Sequence, residues 1–67
     1  MNNEIIGNNA GLVWNALNEK NNQTVKELKK ATKIKTDKVL FAALGWLARE
    51  GKVTLEEAED DIVVTLL

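Results

Sequence analysis

The run Lys35–Val53, KTDKVLFAALGWLAREGKV, contains a helix start, an amphipathic helix, a helix stop and the entry to a strand. Thr36 has the side-chain oxygen that an N-cap needs, and Asp37 sets a negative charge at the positive end of the helix dipole. Leu40, Ala43, Leu44 and Leu47 recur at helical spacing and define a core face. Gly51 stands where a left-handed C-terminal cap belongs, with Arg49 in the last turn. The expected helix covers residues 36–50. Its opposite side carries Lys38, Ala42, Gly45 and Arg49, flanked by Phe41 and Ala48 on one side and by Val39 and Trp46 on the other. A helix that is apolar almost all round is normally covered on more than one side. Gly45 in mid-helix costs roughly 1 kcal/mol relative to alanine, which implies that something approaches closely there.

Downstream of Gly51 the period changes from 3.6 to 2. Val53 and Leu55 alternate with Thr54 and Glu56, and Ile62, Val64 and Leu66 alternate with Val63 and Thr65. Strands are expected at 52–56 and 61–66, with Glu57–Asp61 as a polar tip. A lone hairpin is not stable in water, so its apolar face should lie on the helices.

Upstream, Thr24 and Glu27 form a capping box that opens a short helix over 24–32. Val25, Leu28 and Ala31 should face inward, with Lys26, Lys29 and Lys30 in solvent. Thr32–Lys35 is a tight connection in which Ile34 plugs the angle between two helices. Residues 4–19 give a first helix through Ile6, Ala10, Val13, Trp14 and Leu17, with Asn3 as N-cap and Trp14 read as a core residue. Gly7 and Gly11, one turn apart, indicate close packing against a neighbouring element. Glu19–Gln23 reads as a loop, and a short strand at Gln23–Val25 would pair with the hairpin.

Three helices followed by a hairpin is the layout of a winged helix-turn-helix, an α+β fold. The stretch LGWLAREGKV (44–53), a third helix ending in L-x-x-E-G-x-V and running into the wing, carries that resemblance, and AGLVWNALN (10–18) with ALGWLAREGK (43–52) resembles a group of small bacterial winged helix-turn-helix proteins of unassigned function. The resemblance spans nearly the whole chain. It implies the fold and supplies no catalytic or ligand residues.

With 67 residues the chain makes one domain, residues 1–67, whose small core makes self-association attractive. It contains no cysteine and no histidine, and it has no phosphate loop, nucleophile elbow or metal-ligand spacing. Neither an enzyme nor a cofactor or metal protein is expected. The N-terminus lacks a signal-peptide n-region and no run is long enough to span a membrane, so the expectation is a cytoplasmic protein without membrane contact.

All nine Lys and Arg residues lie between Lys20 and Lys52, and five acids, Glu56, Glu57, Glu59, Asp60 and Asp61, crowd the tail. In DNA readers of this layout the third helix enters the major groove with polar side chains. Of the outward positions Lys38, Phe41, Ala42, Gly45, Trp46 and Arg49, only the first and last suit that role, and the acidic wing would repel phosphates. The favoured reading is a homodimer, or a module for another protein, with Phe41, Ala42, Gly45 and Trp46 at the interface and Val39 and Arg49 at its margin. Lys38 and Arg49, at the ends of the same face, stay on the rim, and in an antiparallel crossing they would reach acids of the other copy such as Glu50. The alternative is weak, salt-sensitive nucleic-acid binding by Lys29, Lys30, Lys33, Lys35, Thr36, Lys38, Arg49 and Lys52.

Overall fold

The computed structural model describes residues Met1–Leu67. The chain runs α1 (Asn3–Glu19), β1 (Gln23–Thr24), α2 (Val25–Thr32), α3 (Asp37–Arg49), β2 (Val53–Glu57) and β3 (Ile62–Leu66). The strands form one antiparallel sheet in the order β1-β3-β2. The wing is therefore three-stranded: Gln23 pairs with Val64 and Thr24 with Val63 on one side of β3, while Val53 pairs with Leu66 and Leu55 with Val64 on the other.

The helix limits follow from local chemistry. The Thr36 hydroxyl accepts from Val39 N–H at 3.3 Å and starts α3. At its end Gly51 adopts φ 71°, Lys52 N–H donates to Leu47 O at 2.9 Å and Gly51 N–H to Ala48 O at 3.0 Å. This is a Schellman stop, which turns the chain straight into β2. The capping box of α2 is complete: Thr24 Oγ1 accepts from Glu27 N–H at 3.1 Å and Glu27 Oε1 accepts from Thr24 N–H at 2.9 Å. Lys33 takes a left-handed conformation after α2, and Thr32 Oγ1 donates to Leu28 O while accepting from Ile34 N–H. That turn drives Ile34 into the core as the expected plug.

The core is one cluster in which Val13, Leu17, Leu28, Leu40, Leu44 and Val64 are the large fully buried side chains. Four expectations are corrected. Asn2, not Asn3, caps α1, its Oδ1 accepting from Ile5 N–H. Trp14 is not a core residue; it is 38% exposed, because the inward phase of α1 runs through Ala10, Val13 and Leu17 and leaves Trp14 on the flank. Ala31 is exposed and Thr32 takes the half-buried place beside Leu28. Leu55 is 39% exposed: β2 is an edge strand in which Val53, next to the end of α3, is buried, Thr54 is half-buried and the rest is exposed.

The wing is also fastened by polar contacts. Asp61 Oδ1 accepts from Ile62 N–H at 2.7 Å and its Oδ2 from Lys26 N–H at 3.1 Å, in the first turn of α2. The Ile62 bond first, then the Lys26 bond, hold the Asp61 carboxyl below its ordinary value of 3.8, and the Thr24 N–H does the same for Glu27 below 4.5. Groups whose folded pKa is depressed add stability that is fully present above the ordinary values and is lost as pH falls through the folded ones. Urea midpoints should therefore fall on acidification below about pH 4.5, and Asp61→Ala should remove part of that slope and cost roughly 1 kcal/mol at neutral pH. An unchanged slope in Asp61→Ala would show that the wing is not fastened through this carboxylate.

Candidate interaction surface

The outer side of α3 is the feature the fold leaves uncovered. Phe41 is 39% exposed and Trp46 38% exposed, on opposite flanks of the helix, about 140° apart at ~100° per residue. Between them Ala42 is half-buried and Gly45 is exposed. Nothing lies within 4 Å of where a Cβ on Gly45 would stand. No close approach within the chain accounts for this glycine. Val39 is half-buried against the core, and Lys38 and Arg49 are exposed at the two ends of the face.

Trp46 also leans toward α1. Its ring atoms Cζ2 and Cη2 come within 3.6 and 3.7 Å of the place for a Cβ on Gly7, so Gly7 provides the expected close packing. Gly11 does not, since the space above it is open. Between α1 and α3 runs a groove of about 370 Å³ lined by Gly7, Gly11 and Trp14 on one side and by Trp46 and Leu47 on the other. Glu50 and Lys52 close one end, paired with each other at 3.5 Å. Sequence reading missed this groove because it assigned Trp14 to the core. The available signal was the absence of any charge from Ile5 to Asn18, unusual for an exposed helix face.

The basic candidates divide. Lys29 is half-buried rather than solvated, its Nζ 2.8 Å from Asp37 Oδ1. Lys52 is paired with Glu50, and the Thr36 hydroxyl is occupied as a helix cap. Lys30, Lys33 and Lys35 join Lys29 around Ile34 in a shallow basin at the turn between α2 and α3; those three make no ion pair. The acids of the wing are nearby: Asp60 and Asp61 share a depression with Lys26, Lys29 and Asp37.

Helix α3 set on α1, with α2 on the other side of α1's core face and a wing wrapped back to a short strand before α2, defines a winged-helix domain. The family profile described as "Winged helix-turn-helix domain (DUF2582)" matches residues 1–66, and the chain belongs to that family. It is similar to protein BT2368 from Bacteroides thetaiotaomicron, a solution NMR structure, with 38% sequence identity and a TM-score of 0.85 over 98% of this chain and 79% of that one. No curated protein matches the chain. Winged-helix domains commonly bind DNA or mediate interactions, and the fold is typically non-enzymatic. No helix is long and apolar enough to cross a membrane.

Proposed function

We propose that this protein is an interaction module that forms a homodimer through the outer side of α3, centred on Phe41, Ala42, Gly45 and Trp46. Val39 and Arg49 lie at the margin. The observation that carries the reading is Gly45, an exposed mid-helix glycine with open space above it and a half-exposed aromatic residue on either flank. Such a glycine weakens the helix by about 1 kcal/mol relative to alanine, and a second helix lying across it offsets that cost. Aromatic anchors beside a shallow recess, with charge kept to the rim, are the composition of interface centres. A second copy is the simplest partner because one patch offers both the projections and the recess. Sedimentation equilibrium tests this directly. A dimer is expected in the micromolar range, and a monomer at all accessible concentrations would overturn the reading.

The lysine basin favours a second reading, sequence-independent contact with phosphates by Lys30, Lys33 and Lys35. About three counterions released would give an affinity for duplex DNA that falls by roughly three decades per decade of salt. A tight complex at physiological salt that tells one duplex from a scrambled one would require α3 in the groove and would displace the dimer reading.

A further inference from the structure

We propose that the free edge of β2 takes up an extended basic segment of another protein as a further strand of the wing. The sheet ends at β2, because the strand order is β1-β3-β2. Leu67 N–H donates to Lys52 O at 3.0 Å and Ala58 N–H to Asp61 O at 2.7 Å. Both pairs continue the register that sets Thr54 opposite Thr65 and Glu56 opposite Val63. Bonded and non-bonded pairs alternate along an antiparallel ladder. Thr54 and Glu56 therefore bond to β3, while the N–H and C=O groups of Val53, Leu55 and Glu57 point away from it. Val53 is buried, but Leu55 and Glu57 are exposed, which leaves their outward donors and acceptors open to a further strand.

Side-chain chemistry selects the occupant. Glu56, Glu57 and Glu59 are exposed and make no ion pair. A second copy added antiparallel through both open positions would set Glu56 across from Glu56 and Leu55 across from Glu57. Like charges directly opposite one another destabilise a strand pair. A strand with lysine or arginine across from Glu56 turns that repulsion into attraction. Leu55 lies on the same face of β2 as Val53, yet it is 39% exposed, and an apolar side chain on the added strand would cover it. The fitting segment is therefore extended, with basic residues alternating with β-branched ones. Main-chain bonds supply the attachment and alternate side chains the selectivity. The edge shares no residue with the proposed α3 contact, so its occupation is read whether or not the chain dimerises.

The probe is a short, terminally capped peptide of alternating lysine and valine, titrated into the isotope-labelled protein at low salt. Binding should slow hydrogen exchange at the Leu55 and Glu57 amides, which are open in the free chain. The Thr54 and Glu56 amides, already bonded to β3, should change little. The same peptide with glutamate in place of lysine, or with N-methyl groups along one edge of its backbone, should bind at least about tenfold more weakly. Leu55→Pro removes an outward N–H and no bond to β3, so the domain should keep its fold and lose the peptide by a similar factor. Glu56→Lys, at an exposed position, should reverse the preference and favour the glutamate peptide. Binding of the lysine peptide without protection at Leu55 and Glu57 would be diffuse charge attraction and would overturn the added strand. So would wild-type affinity for that peptide in Leu55→Pro or Glu56→Lys, or no binding at millimolar peptide. Protection of the same two amides that rises with protein concentration in the absence of peptide would give the edge to a second copy and overturn it equally.

Discussion

Gly45→Leu is expected to be a monomer that is at least as stable as the wild-type subunit. The two halves of that result come from different physics. Within one chain the substitution meets open space, and leucine is the better helix former by several tenths of a kcal/mol or more, so the subunit gains. Between chains the added side chain stands where a second helix would approach, and overfilling a close contact of this kind costs typically 1–3 kcal/mol. Trp46→Glu should give the same monomer by another route. It removes an anchor from each half of a symmetric contact and leaves two carboxylates without partners. Burial of a large apolar side chain is worth roughly 1.5–3 kcal/mol, so losing two weakens association by on the order of 10²–10⁴. That variant also loses the contact with Gly7 and should melt lower, which makes Gly45→Leu the cleaner test. Light scattering and thermal melting on the same samples separate the two effects. If Gly45→Leu remains a dimer with unchanged affinity, the outer side of α3 is not the contact.

The parts of this structure that a reader of the sequence could see are those decided within one helical turn. The Thr24–Glu27 box, the Thr36 cap and the left-handed stop at Gly51 each depend on residues at most a few positions apart. Periodicity likewise fixed the buried set on α3, Leu40, Ala43, Leu44 and Leu47. It could not say where a neighbouring element ends. Leu55 has the right phase to be covered, but α3 stops beneath Val53. Trp14 has nearly the right phase on α1, yet its neighbour across the groove is Trp46 and not the core. The polar fastenings were out of reach for a plainer reason. Asp61 binds Lys26 N–H, Asn22 Oδ1 accepts from Thr65 and Asn21 Oδ1 accepts from Leu66 N–H. These join residues separated by 35, 43 and 45 positions, and no local pattern announces them. They also change the reading of the wing: at least one acid expected to project into solvent is turned inward onto α2. The apolar character of α3's outer side was legible, whereas the groove continuing it onto α1 required the fold.

The second large effect should come from Gln23, which the loop-like sequence around it gives no reason to notice. Gln23 is only 5% exposed. Its Nε2 donates to Lys20 O at 2.7 Å and to Ala16 O at 3.1 Å, while its backbone pairs with Val64 in β3. Helix α1 has no glycine stop, and its cap residue Lys20 is extended. The Gln23 amide therefore closes the last turn of α1 and ties it to the sheet. Gln23→Glu keeps the shape and reverses the chemistry. An ionised carboxylate has only acceptors, and here it would face two carbonyl oxygens at the negative end of a helix dipole. An uncompensated buried charge of this kind costs about 3–5 kcal/mol, which is comparable to the whole stability that a core of this size supplies. The variant should be largely unfolded at neutral pH. Its folded pKa would be raised above the unfolded value of about 4.3. Between those two values the folded state binds more protons, so stability should rise as pH falls, and it is fully recovered below the unfolded value. The recovered form has an O–H that can donate to Lys20 O in place of the amide. That slope is opposite in sign to the wild-type slope set by Asp61 and Glu27, so the two can be told apart in one series of urea titrations between neutral pH and about pH 4. Gln23→Leu should lose roughly 1–3 kcal/mol through the unsatisfied carbonyl and show no added pH dependence. A Gln23→Glu protein as stable as the wild type at neutral pH would mean that the clamp on α1 is not made by this amide.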